Sequence, residues 1–195
     1  MFSTGSRGQV GTGTLIVFIS VVLVAGAAAG VVTNTAGFLQ FHSEETSESS
    51  TAEVSDRLEV AYSIGVVDSD SAETELQQLE LIVGPASDAT AIDLDNTTVQ
   101  FQSPDRATTL VSDGATGTGP TFRVEPLQGD TDDNVLSDPG DRSKLVIPLD
   151  GDTTALEPLR RGEEVAVTLT TPSGATTHVQ HTVPPADPND RAVRI

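Results

Sequence analysis

The stretch LIVFISVVLVAGAAAGVV, from Leu15 to Val32, decides the architecture of this chain. As an α-helix it would be about 27 Å long at a rise of about 1.5 Å per residue. The hydrocarbon core of a bilayer is about 30 Å thick, so the helix can span a membrane. Around it, no Asp, Glu, Lys or Arg occurs between Gly8 and Ser43. A helix that is apolar all round must be buried, either in lipid or among other helices.

Three interpretations of this N-terminal segment are open. A cleaved secretory signal has an apolar region of about 7 to 15 residues before its cleavage site, and this stretch is longer. A permanent signal anchor would keep the whole segment in the membrane. A leader of the type IV pilin-like class (a class III signal peptide) is cut before the apolar stretch, and the helix then stays on the mature protein.

The residues from Arg7 to Gln40 favour the third interpretation. They read RGQVGTGTLIVFISVVLVAGAAAGVVTNTAGFLQ, and they closely resemble the N-terminus of archaeal flagellins (archaellins), above all the haloarchaeal ones. Bacterial type IV pilins carry a glutamate at the fifth mature position, where this chain has Gly13. This departure favours an archaellin over a bacterial pilin.

The resemblance implies a cleavage site. In archaellins a prepilin-type leader peptidase cuts after the glycine of an Arg-Gly or Lys-Gly pair. Carried over, the cut lies between Gly8 and Gln9, with Arg7 as the basic residue before it and Gly11 matching a glycine of the mature family sequence. Residues 1–8 would then be the leader and residues 9–56 the N-terminal helix.

Two features of the helix bear on its packing and length. Gly26 and Gly30 form a G-x-x-x-G pattern among alanines, and such small residues let apolar helices approach closely. The alternative is a lone lipid-facing anchor in which the small residues are incidental. Beyond Phe41 the chain turns acidic and Ser-rich, but no Gly or Pro occurs between Gly37 and Gly65. We therefore expect the helix to continue, exposed to solvent, to about Ser55.

The charge of the chain is strongly negative. Asp and Glu number 29 against 10 Lys and Arg, which gives a formal charge of −19, and Lys144 is the single lysine. Such a surface repels the phosphates of nucleic acids. Acidic chains are sometimes disordered, but regular apolar alternation runs through this one. Many Asp, few Lys and few large aromatic residues together favour a folded protein of a halophile.

Short β-rich runs alternate with turn signals after Leu58, and residues 57–195 are predicted to form an outer, all-β, immunoglobulin-like sandwich. Val165, Val167 and Leu169 alternate with polar neighbours, which is typical of a strand with one buried face. The fold class is therefore α+β, with a long apolar helix before the sandwich. The predicted strands are Leu58–Val67, Leu76–Val83, Thr97–Gln102, Thr108–Val111, Thr121–Val124, Lys144–Leu149, Glu164–Thr170 and Thr176–Val183.

Two surface sites are candidates. Asn96, followed by Thr97 and Thr98, is the chain's only N-glycosylation sequon, in a protein expected to be exported. The acidic segment from Asp130 to Asp141 has three spacings of a calcium loop. A solvated loop is the favoured interpretation, because this segment lacks the loop's central Gly and final Glu. Its weak ligand candidates are Asp130, Asp132, Asn134 and Asp141.

The sequence argues against an enzyme and predicts no cofactor. Cys is absent, so thiol nucleophiles and zinc–thiolate sites are excluded. His178 and His181, three apart in a predicted strand, point to opposite faces and cannot converge on a metal. Neither GTGT at 11–14 nor GATGTG at 114–119 has the Lys of a phosphate-binding loop.

The resemblance implies a structural subunit of the archaeal flagellum (archaellum), extracellular after export and anchored in the cytoplasmic membrane before it. Its expected partners are copies of itself or related subunits, the leader peptidase, and a membrane motor and assembly platform that rotates the filament for swimming. The alternatives are an adhesive type IV-like pilin and a membrane-anchored binding domain that never polymerises.

Overall fold

The computed structural model describes residues 5–67, 75–114, 119–129, 133–149, 151, 156–185 and 191–195. The chain divides into two compact units, Met1–Glu48 and Ser49–Ile195. Helix α1 runs from Gly5 to Ser55, so it makes up the described part of the first unit and begins the second. The predicted continuation through the acidic, Ser-rich segment is confirmed.

The backbone hydrogen-bond pattern changes at the end of helix α1. The N–H of Asp56 still donates to Ala52 O at 2.9 Å, but Arg57 N donates to Ser55 O at 2.8 Å, which closes a tighter turn. The carboxylate of Asp56 then accepts a hydrogen bond from Thr90 N at 3.0 Å. Asp56 therefore ties the end of the helix to the strand region of the second unit.

The second unit is built on strands. They form one nine-stranded sheet in the order β10-β9-β4-β5-β6-β8-β2-β1-β11, and β3 pairs separately with β7. The pairs are antiparallel except β5 with β6. The strand bounds are β1 Leu58–Val67, β2 Leu76–Pro85, β3 Ile92–Asp93, β4 Thr98–Gln102, β5 Ala107–Ser112, β6 Thr121–Gln128, β7 Val135–Leu136, β8 Arg142–Pro148, β9 Glu164–Thr170, β10 Thr176–Thr182 and β11 Ala192–Arg194.

The sheet differs in one respect from the predicted two-sheet, immunoglobulin-like sandwich. Strand β6 belongs to both halves, because Thr121 and Phe122 pair with β5 and the residues from Arg123 onward pair with β8. The hydrogen-bonded ladder is therefore continuous. An apolar helix followed by a strand-rich domain is confirmed; strand β6 joins the two halves of the ladder, and the immunoglobulin-like arrangement stays a prediction.

Side-chain hydrogen bonds bring β10 beside β1. Thr177 Oγ1 donates to Leu58 O at 2.5 Å, and a 2.8 Å hydrogen bond joins Ser63 Oγ to His181 Nε2. Burial lowers the pKa of His181 below its usual 6.5. Because the fold disfavours the imidazolium form of His181, the stability of the strand domain should fall as the pH drops below 6.5 towards the lowered pKa.

The core of the strand domain is aliphatic, as its composition predicts. Val165, Val167 and Leu169 are fully buried, which confirms the alternation in β9. Phe101 and Phe122 are also buried. Tyr62 is 52% exposed, with the guanidinium carbon of Arg194 5.1 Å from its ring centroid.

Lys144 lies in a cross-strand ion-pair cluster. Its Nζ is 2.9 Å from Glu125 Oε2 on β6 and 3.2 Å from Glu80 Oε1 on β2. The hydrogen bond to Glu125, aided by Glu80, raises the pKa of Lys144 above 10.5, although burial opposes this effect. The stabilisation is therefore fully present below pH 10.5 and is lost as the pH rises through the raised pKa.

A side chain at Gly65 is expected to destabilise the strand domain. A Cβ built there overlaps Leu76 Cδ2 and lies 2.8 Å from Leu76 Cγ, and Leu76 is itself buried. Overpacking of this kind costs about 1–3 kcal/mol, so we expect Gly65→Ala to lower the free energy of unfolding by about that amount. The measurement is urea unfolding of the detergent-solubilised chain in molar salt. The control is Gly140→Ala, whose Cβ meets no atom within 4 Å; equal unfolding midpoints for the two variants would contradict the prediction.

Candidate assembly helix and surface sites

The large apolar side chains of α1 are exposed. Leu15, Phe18, Val32 and Leu39 are each at least 60% exposed, and Phe41 is 76% exposed. By length and composition, the segment Gly11–Ser55 contains a stretch that could cross a membrane. Exposed apolar area of this extent marks a surface that another molecule or a lipid phase covers.

Hydroxyl groups in this segment are satisfied inside the helix. Ser20 Oγ donates to Ile16 O at 2.8 Å. Thr33 Oγ1 donates to Ala29 O at 2.9 Å, and Thr35 Oγ1 makes the equivalent bond four residues back. These side chains therefore do not need water, and the helix surface suits an apolar environment.

Glycines leave bare backbone on one face of the helix. Gly26 and Gly30 are four residues apart, and Gly37 follows at a further seven, so all three lie on the same side. A Cβ built at any of them would meet nothing within 4 Å. The face is thus open to close approach by another helix, although packing there remains a prediction.

The predicted leader junction lies at the start of α1. Arg7, Gly8 and Gln9 are in its first turns, and Gly11 follows in the next. Cleavage between Gly8 and Gln9 stays a prediction.

Asn96 lies in the tight turn between β3 and β4 with its side chain exposed. Its Nδ2 donates to Asp93 Oδ2 at 2.6 Å, and Thr97 Oγ1 donates to Asp93 O at 2.9 Å. Asp93 Oδ1 also accepts from Asp95 N at 2.9 Å. Asp93 therefore organises the turn that presents the sequon, while glycan attachment remains a prediction.

The acidic loop is described only in part, since Asp130 and Asp132 lie outside the described residues. Asn134 has a positive φ of 56°, and its Nδ2 donates to Asp95 Oδ1 at 3.1 Å. Asp141 is buried, and its Oδ2 accepts the N–H groups of Ser137 and Asp138, each at 2.9 Å. This carboxylate closes a turn, a role that the sequence pattern did not reveal.

The histidines of β10 have separate partners. A 3.1 Å hydrogen bond joins His178 Nδ1 to Thr168 Oγ1 on β9, whereas His181 bonds Ser63 on β1. Their divergence agrees with the expectation from strand geometry. Among the described residues, no group of three or more His, Cys, Asp or Glu side chains is placed to hold a metal ion.

Comparisons with known proteins agree on one family. The family model for archaeal-type flagellin matches residues 8–181. The chain is 41% identical over 189 residues to Flagellin B2 of Halobacterium salinarum, covering 97% of this chain and 95% of that protein. It is 38% identical over 193 residues to Flagellin A1 of Haloferax volcanii, covering 91% of this chain and 90% of that protein.

A solved structure extends the comparison to the fold. The archaeal flagellum of Methanospirillum hungatei matches with a TM-score of 0.71 at 22% identity, covering 95% of this chain and 99% of that chain. The match confirms the combination of one long helix and a strand-rich domain. The haloarchaeal relatives also agree with the halophilic interpretation of the charge. The chain belongs to the archaeal-type flagellin family and is a structural subunit of the archaellum filament, not an enzyme.

Proposed function

We propose that this subunit works by moving its apolar helix from the cytoplasmic membrane into the core of the filament. The observation that carries the proposal is the exposed apolar surface of α1 from Leu15 to Phe41. Lipid covers it in the precursor, and neighbouring copies cover it after assembly. Outside the membrane, burial of apolar area contributes about 25 cal/mol per Å², which drives the association.

Cleavage between Gly8 and Gln9 by a prepilin-type peptidase releases the helix for this transfer. Two observations support the position. The Arg7-Gly8 pair directly precedes the uncharged segment. The match to the family model also begins at residue 8, next to the proposed cut.

The filament is an open helical polymer made by head-to-tail contacts that do not close. The strand domain forms its outer layer, and a membrane motor rotates it from an assembly platform. Related subunits are candidate co-polymerising partners. Halobacterium salinarum alone has flagellins A2, B1, B2 and B3 at 39–41% identity to this chain.

Bulk on the glycine face is expected to impair assembly without preventing membrane insertion. Gly26→Leu or Gly30→Leu places a large side chain where the backbone is bare and forces neighbouring helices apart. We expect normal amounts of protein in the membrane but a several-fold lower yield of sheared filaments. The matched control is Ala28→Leu, which adds bulk on the opposite face of α1. Normal yields from both glycine variants would refute close packing at this face and weaken the proposed core.

Asn96 is expected to carry an N-linked glycan in the exported protein. Mass spectrometry of peptides from purified filaments should show an added mass on the peptide with Asn96, and Asn96→Gln should remove it. Thr98→Ser keeps the sequon and should keep the modification, whereas Thr98→Ala should lose it. An unmodified Asn96 in parent filaments would contradict the prediction.

A further inference from the structure

Asn34 is the one side-chain amide between Gly11 and Leu39. Its neighbours Thr33 and Thr35 bond their hydroxyls to helix carbonyls. The amide of Asn34, by contrast, is exposed and makes no hydrogen bond within the described part of the chain. A side-chain amide has two N–H donors and a carbonyl acceptor. Asn34 therefore has more unused hydrogen-bonding capacity than the threonines beside it.

The position of Asn34 places this amide on the bare face of the helix. Gly26, Gly30 and Asn34 follow one another at intervals of four residues, and Gly37 comes three residues later. A neighbouring helix that approaches the three glycines therefore meets the amide of Asn34 on the same face.

Large apolar side chains flank Asn34 on both sides. The stretch Leu15–Val32 precedes it, and its large apolar side chains are each more than half exposed; Phe38, Leu39 and Phe41 follow it, each at least 60% exposed. If the whole apolar surface is covered on assembly, as the proposed function requires, Asn34 is covered with it. An unpaired amide is costly to bury, so a neighbour must supply a partner.

We propose that Asn34 hydrogen-bonds to the helix α1 of a neighbouring copy and thereby fixes the axial register of the filament core. Apolar contacts alone tolerate sliding of one helix along another. A single buried amide in an apolar helix interface penalises every register but the one that pairs it, at some cost in stability. The inference rests on the proposed helix core, and the partner is a second copy of this chain.

The experiment uses full-length chains assembled in cells and electron microscopy of sheared filaments. Asn34→Leu removes the amide, and Asn34→Thr replaces it with a hydroxyl that can bond within its own helix, as Thr33 and Thr35 do. We expect both variants to form filaments with two or more values of the axial rise, and Asn34→Leu filaments to resist heat at least as well as the parent. Gln40→Leu, the same change next to the acidic segment, should keep a single rise.

A second variant tests burial. Asn34→Asp places a charge in the core, and we expect its filament yield at pH 7 to fall at least about tenfold. One parental rise in both the Leu and Thr variants, or a normal yield of Asn34→Asp, would overturn the register proposal. A parent reconstruction with α1 outside the filament centre would instead overturn the proposed function on which it rests.

Discussion

Cells that carry Gly8→Phe are expected to accumulate a full-length precursor in the membrane and to have no filaments. The predicted cut lies between Gly8 and Gln9. A bulky ring in place of the glycine should prevent this peptide bond from entering the active site of the peptidase. Without the cut, Arg7 stays on the helix and places a charge next to the uncharged surface that has to be buried. A charge in an apolar core is strongly unfavourable, so assembly should fail.

The measurement is mass spectrometry of the N-terminal peptide in membrane and filament fractions. Parent filaments should begin at Gln9. Gly5→Phe adds the same ring within the leader but away from the cut, and it should be processed normally. Filament subunits that begin at Met1 would show that the leader is not removed.

Filaments are expected to persist in molar salt and to loosen or dissociate at low salt. Loss of the leader removes Arg7, so the mature side chains carry a formal charge of −20. Some of the few basic side chains already have partners within the subunit: Arg160 pairs with Glu75 at 3.2 Å, and Lys144 pairs with Glu80 and Glu125. Exposed carboxylates are left to repel those of neighbouring subunits, and they include Glu59, Asp88, Asp105, Asp138, Glu157 and Glu164.

Screening of the exposed charges sets the salt concentrations over which the filaments dissociate. Charges repel over about 10 Å at 0.1 M salt but over only about 3 Å at 1 M. We expect a dissociation midpoint between these concentrations by light scattering, with partial protection by divalent cations. A variant with Asp105→Asn, Glu157→Gln and Glu164→Gln should dissociate at lower salt than the parent. Filaments intact from molar to millimolar salt would show that repulsion between outer domains does not govern assembly.

Local patterns were sufficient to predict the longer elements. The bounds of β1 and β9 agree with their predicted runs, because each has alternating apolar residues between turn signals. Strands β3, β7 and β11 were missed. They have two or three residues each, too few to show a period, and their pairing depends on segments distant in sequence. The run Thr121–Val124 predicted strand β6 itself, but not its pairing with both β5 and β8, because no local pattern says that a strand changes partners midway.

The candidate sites divide in the same way. The N-terminal residues could be singled out because their sequence is specific to one family and their function depends on a continuous segment of the chain. The role of Asp141 could not, because it arises from the backbone N–H groups of Ser137 and Asp138, which only the folded turn brings to its carboxylate. The amide of Asn34 likewise stood out only in the structure, where the hydroxyls of Thr33 and Thr35 beside it donate hydrogen bonds to helix carbonyls.

The ion-pair cluster at Lys144 determines how these filaments can be made fluorescent. Only a neutral amine can attack an amine-reactive dye, and the two carboxylates beside this lysine hold it in the ammonium form. The other amine of the mature chain would be the α-amino group of Gln9, at the start of the helix. Because the chain has no Cys, a thiol introduced at an exposed strand position such as Gln180 would accept a single maleimide dye per subunit. Rotation of filaments on living cells could then be recorded without modification of Lys144.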